Sequence, residues 1–153
     1  MDARMEQTAA ADDLEYHLSA DGLTGNTFDA HRLVHLALDR GMQDAVVERF
    51  FRAYFTEQRS LFERPSLVAL AIDAGLDEGD VQHVLKAGTY GQSVARDLQE
   101  AEALGASGVP FFVIDQRYGV SGAQPVDVFS EVLSRAWTEA KGLAAGRSTA
   151  GRQ

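Results

Sequence analysis

Gly108-Val109-Pro110-Phe111-Phe112-Val113-Ile114-Asp115 is the stretch on which the fold of this chain turns. Proline at 110 fixes its own φ and lacks an N–H, so it breaks any helix arriving from upstream. The four residues after it are strand formers, apolar on both faces. Asp115-Gln116-Arg117 reads as a hairpin turn and Tyr118-Gly119-Val120-Ser121 as the returning strand. Pro125 then opens an amphipathic helix with Val126, Val128, Phe129, Val132, Leu133 and Trp137. A two-stranded hairpin is marginal alone, and a strand apolar on both faces normally lies inside a sheet between helices. Leu14-Glu15-Tyr16-His17-Leu18 is the one other strand candidate, short and partly polar. The sheet is therefore expected to be completed by another segment or chain.

Upstream, the period changes from two to that of helices. Met1 to Ala11 reads as a short helix, and Asp21-Gly22 and Gly25-Asn26 are turn signals. A helix should start with Asn26 or Thr27 as N-cap, carry Asp29 in its first turn and stop before Gly41. Val46, Val47, Phe50, Phe51, Tyr54 and Phe55 recur at three- and four-residue steps and mark the clearest helix. Pro65 opens another that ends before Gly75, Asp77 caps one running through Ala87, and Thr89 caps one ending at Gly105. Beyond Lys141 the Gly/Ala/Ser/Arg-rich tail reads as disordered. The expected domains are an N-terminal helix and extended segment over 1–25, a helical insertion over 26–105, a β-β-α unit over 106–140 and a tail over 141–153.

Bulk composition excludes several functions. The 153 residues hold no cysteine, which rules out disulfides, thiolate metal sites and cysteine nucleophiles within this sequence. No apolar run approaches the roughly 20 residues of a membrane span, and no basic-then-apolar signal opens the chain. A cytoplasmic location is the expectation. Net charge is -9, and the fourteen basic residues are scattered, so nucleic acid is a poor partner. Leu67 to Leu85 has helix-turn-helix spacing, but its second helix opens with Asp77-Glu78-Gly79-Asp80, which repels phosphate.

Few side chains suggest chemistry. His31 and His35 stand i, i+4 on one helix face, a metal-ligand spacing. The residue after the first histidine is Arg32 where a hydrolytic zinc motif carries glutamate, and no third ligand is near, so we expect neither metal nor cofactor. Gly119 and Gly122 lack phosphate-loop spacing and read as backbone requirements. Ser121 has no local histidine to activate it.

Asn26-Thr-Phe-Asp-Ala-His31-Arg-Leu33, Arg52-Ala-Tyr-Phe55, Gly105 through Asp115 and Tyr118-Gly-Val-Ser-Gly-Ala-Gln-Pro125 occur in that order, and together they resemble the DsbA-type thioredoxin-fold oxidoreductases. The FrnE-like branch, related to the 2-hydroxychromene-2-carboxylate isomerases, is the nearest in pattern. The resemblance implies an α/β chain, mostly α as it stands, with an incomplete thioredoxin fold: helical insertion plus closing β-β-α unit. It also implies thiol–disulfide exchange on peptide or small thiol substrates, through a Cys-x-x-Cys β-α-β segment that this sequence lacks. Val109 and Pro110 would form the substrate groove around a cis peptide bond, and Asn26 and His31 would face the active site. The chain is expected to be a truncated form, silent in redox exchange, completed by an N-terminal segment or paired with a second copy. A non-catalytic binding or dimerising module is the alternative, and a glutathione-dependent isomerase-like protein a weaker one.

Overall fold

The computed structural model describes residues 2–17 and 24–150, with side chains over 4–17 and 24–142. It divides into two compact units, Met1–Arg96 and Asp97–Gln153.

The first unit is helical. In chain order it contains α1 (Asp2–Ala11), α2 (Phe28–Asp39), α3 (Gln43–Phe55), α4 (Arg64–Asp73), α5 (Glu78–Ala87) and the start of α6 (Gly91–Ala103). The stop and start signals act as the sequence suggests. Asn26 Oδ1 accepts the Phe28 N–H at 2.8 Å, which satisfies a donor the helix leaves open. Asp77 caps α5 through the Asp80 N–H at 3.0 Å. Pro65 sits in the first turn of α4. Gly75, at φ +102, supplies the left-handed residue beyond the end of that helix.

One cluster holds this unit together. Leu33, Leu36 and Ala37 of α2 meet Val46, Phe50 and Ala53 of α3, Leu67 and Leu70 of α4, and Val81, Val84 and Leu85 of α5. Leu33, Leu67 and Leu70 are wholly buried, and truncating such a leucine to alanine costs about 2–5 kcal/mol.

Two expectations give way here. Residues 14–17 form no strand. The Leu14 N–H instead donates to the Ala9 carbonyl of α1 at 2.9 Å, and the His17 N–H donates to the Phe55 carbonyl at the end of α3 at 2.7 Å. Thr56 Oγ1 donates to the Glu15 carbonyl at 2.7 Å, and Tyr16 stacks on Phe55 at 4.7 Å. The proposed strand's last residue, Leu18, and the turn at Asp21-Gly22 lie outside the described residues. Thr89 does not cap α6, because Gly88 and Tyr90 both take positive φ and delay the helix to Gly91. The Tyr90 hydroxyl donates to Asp39 Oδ2 at 2.5 Å, and that carboxylate pushes the phenol's pKa up.

The second unit contains the rest of α6, then β1 (Phe111–Ile114), β2 (Tyr118–Ser121) and α7 (Val126–Ala150). The strands pair antiparallel, Phe111 opposite Ser121 and Ile114 opposite Tyr118. The turn between them has Asp115 at φ 53 and Gln116 at φ 54, and the Arg117 N–H closes on the Ile114 carbonyl at 3.1 Å. Two positive φ values in succession are what a type I′ turn needs. Phe111 leans over Gly119, where a Cβ would stand 2.9 Å from the tip of its ring, so a side chain there would push the ring aside. α7 packs on the hairpin through Phe129 against Phe112, edge to face at 4.9 Å. The helix continues to Ala150, past the point where the sequence suggested a disordered tail.

Candidate functional site

Two places hold the residues singled out by sequence, one in each unit.

In the first unit a cleft of about 550 Å3 opens between the N-terminal half of α2, the outer side of α3 and the loop before α4. Ala30, Val34, Val47 and Phe50 form its floor; Phe51, Tyr54, Phe55 and Phe62 surround it. The apolar stripe of α3 is wider than the core needs, and the cleft shows why. Val46, Phe50 and Ala53 are buried in the core, while Phe51, one turn along the outer side, stays 55% exposed. Tyr54 meets Phe55 edge to face at 5.0 Å, and Phe51 tilts against Phe55 at 5.9 Å. The Phe62 ring occupies the space where a side chain on Gly25 would stand. Among the described residues its polar side chains are few: Thr24, Thr27, His31 and Tyr54.

His31 thus belongs to the cleft, exposed at its edge. Asn26 does not line it, and its side chain is spent on the Phe28 N–H. His35, on the same helix face as His31, is half-buried and stacks on Tyr90 with centroids 6.1 Å apart. Among the described residues no three His, Cys, Asp or Glu side chains gather as a metal-holding group.

Sequence reasoning passed over Arg32. It is 5% exposed, yet every polar face of its guanidinium is engaged. Nε donates to the Thr89 carbonyl at 2.8 Å, Nη1 to Asp29 Oδ1 at 2.5 Å, and Nη2 to the Val84 carbonyl. The two backbone acceptors, Val84 and Thr89, belong to α5 and the turn after it, so one side chain fixes the first turns of α2, where His31 sits, against α5. An arginine inside an apolar-periodic helix, three residues after an aspartate, was the available signal.

In the second unit the Val109–Pro110 bond is cis. The Pro110 carbonyl accepts the Gly122 N–H at 2.8 Å, extending the β1–β2 ladder by one step. Val109 stands 96% exposed, and its backbone finds no backbone partner among the described residues. Phe112 and Val113 are 42% and 40% exposed. The strand expected to lie inside a sheet therefore lies in a two-stranded one, open along β1 among the described residues.

Behind the hairpin, Glu139 of α7 accepts from Arg117 Nη2 at 3.0 Å and Arg135 Nε at 3.1 Å. The two guanidiniums lie 5.6 and 5.5 Å from the Tyr118 ring. The Tyr118 hydroxyl and Arg135 hold the Glu139 carboxyl below its usual range, and the carboxylate in turn holds the Tyr118 phenol above its own.

A strand-turn-strand-helix unit entered through a cis proline, together with a separate helical unit, is the arrangement the sequence resemblance implies. The profile of the DSBA-like thioredoxin domain matches residues 1–134. The chain belongs to that family. A solved structure described as a probable DsbA oxidoreductase of Streptomyces coelicolor is 45% identical, with a TM-score of 0.80. The similarity covers 90% of this chain and 59% of that one, so the present chain spans less than two thirds of that protein's length. No protein of curated function matches. The DSBA-like chain is thus an α/β protein of thioredoxin type, mostly helical, with a two-stranded sheet among its described residues. No helix among those residues is long and apolar enough to cross a membrane.

Proposed function

We propose that this DSBA-like chain serves thiol–disulfide exchange as the substrate-holding part of the machinery, with the redox dithiol carried by a segment outside this sequence. The family match over residues 1–134 carries the reading. Exchange requires a thiolate to attack a disulfide sulfur, and the only sulfur in these 153 residues is in methionine. What the chain contributes is a surface. The exposed Val109 backbone, beside an open apolar strand, suits pairing with an extended peptide by strand addition. The order of the Asn26-to-Leu33 and Gly105-to-Asp115 motifs supports the FrnE-like branch, in which His31 would face the substrate side. Asn26, one residue before the Thr27 N-cap, would face the same side.

Mixing the chain with a separately expressed Cys-x-x-Cys β-α-β segment from a family relative tests this. Insulin reduction should appear only in the mixture and vanish when both cysteines of the added segment are changed to serine. A family of matching segments that all fail to give turnover would sink the proposal. The open edge of β1 favours one second reading, a non-catalytic module in which another copy covers that edge. A folded monomer in size-exclusion with light scattering would exclude it.

A further inference from the structure

The exposed side of α7 is an interface for a second copy of this chain, we infer, in which two α7 helices pair antiparallel about a twofold axis. The inference is independent of thiol chemistry and of the open β1 edge, since every interface residue it uses lies between Val126 and Lys141 of α7.

A helix lying on a hairpin needs one apolar face, and α7 has two. Phe129, Ala136 and Glu139 form the side turned to the hairpin: Phe129 meets Phe112, Ala136 is buried and Glu139 accepts from Arg117. Val126, Leu133 and Trp137 stand about a quarter-turn round the helix from that side. They are 81%, 53% and 66% exposed. Their steps of seven and four residues are the repeat of a helix that meets another helix. Clustered exposed apolar side chains of this kind mark an interaction surface.

Charge decides what covers the stripe. The chain as a whole carries -9, so a second copy is repelled unless opposite charges meet. Along α7 they do. Asp127 and Glu131 stand toward its N-terminal end, and Lys141 follows Trp137 by one turn, its ammonium 4.9 Å from the indole centroid. Asp127 and Lys141 both flank the stripe on the side away from the hairpin. The ion pairs of α7 join Glu139 to Arg117 and Arg135, and among the described residues they leave Asp127 and Lys141 out. Antiparallel pairing that sets Leu133 of one copy against Trp137 of the other brings Asp127 opposite Lys141, twice by symmetry. Ser130 then lies opposite Ala140, a layer of small side chains that leaves room for the indole beside it. The same twofold axis brings the two Ser134 side chains together. A parallel pair would instead place the acidic ends side by side and align the helix dipoles, both unfavourable.

Sedimentation equilibrium of the full chain at rising concentration tests the inference. A reversible dimer of twice 16.6 kDa is expected. Leu133→Glu, which buries a carboxylate in the proposed interface, should weaken association by about tenfold or more. Asp127→Lys should weaken it too, and adding Lys141→Asp should restore it. The chain has no cysteine of its own, so Ser134→Cys reports the twofold axis directly. Oxidised glutathione should link two Ser134→Cys chains, while Gln82→Cys, on the exposed side of α5, should stay unlinked. A chain that remains monomeric overturns the inference, and so does a dimer indifferent to Leu133→Glu and to the charge swap, the result expected if copies pair along β1. If Leu133→Glu fails to fold, the charge swap and the Ser134→Cys link decide. Insulin reduction by the mixture with a dithiol segment is read separately, and none of these outcomes bears on it.

Discussion

Arg32 shows what a single residue contributes. A buried guanidinium with a full set of acceptors is stable in place, but removing it strands the Val84 and Thr89 carbonyls and leaves the partly exposed Asp29 carboxylate with only Arg64, at 3.8 Å, as an ion-pair partner among the described residues. Breaking a buried charge network of this kind costs about 3–5 kcal/mol. Arg32→Met should therefore lower the unfolding free energy of the helical transition in urea, followed by far-UV circular dichroism, by that much. Arg32→Lys should recover only part of it, because an ammonium on a flexible stem cannot reproduce the planar fork. A loss below about 1 kcal/mol for Arg32→Met would show the network to be incidental. His31, its neighbour, was legible from sequence as a residue of interest, and the cleft gives it surroundings. Asn26 was legible with two roles open; Thr27 takes the N-cap position of α2, and Asn26, one residue earlier, accepts the Phe28 N–H at 2.8 Å.

At the scale of elements, caps and turns were mostly readable because they depend on a few neighbouring residues. Asp77, Pro65, Gly75 and the Phe111–Ile114 strand stand where the pattern put them. The hairpin turn invites a test. Gln116 holds φ 54, a conformation costly for a side chain and free for glycine. Gln116→Gly should stabilise the hairpin by about 1 kcal/mol, seen as roughly fivefold slower amide exchange in β1 and β2. Unchanged or faster exchange would mean that the turn is not limiting. The clasp of Glu139 with Tyr118, Arg117 and Arg135 has a pH signature. A carboxyl lowered in the folded state adds stability above its unfolded pKa, and that contribution is lost as pH falls through the folded value. Acidification below the ordinary carboxylate range should therefore loosen α7 from the hairpin. Glu139→Gln should flatten the response, monitored through Trp137 fluorescence. Identical acid profiles for both proteins would remove Glu139 as the cause. Thr89 escaped the sequence reading because its carbonyl is claimed by Arg32, 57 positions away, and its neighbours adopt positive φ.

For the molecule as a whole, the two units differ in what holds them. The first has a cluster drawn from four helices, whereas among the described residues of the second only Val120 and Ala136 are buried hydrophobics. Burial supplies most of the driving force, so the units should not melt together. Trp137, the single tryptophan, reports the second unit, and far-UV dichroism is weighted toward the first. The tryptophan transition is expected at lower urea than the helical one. Coincident midpoints would contradict two separate cooperative units. By itself the sequence determined the order of the helices and the closing hairpin, the family and the lack of a thiol, because these rest on local periodicity, turn chemistry and residue identity. Only the tertiary structure decided that the α3 stripe divides between a core and a cleft, that Arg32 is buried and satisfied, and that β1 stands open. Each of these depends on which distant surfaces meet, and spacing along a chain carries no record of that.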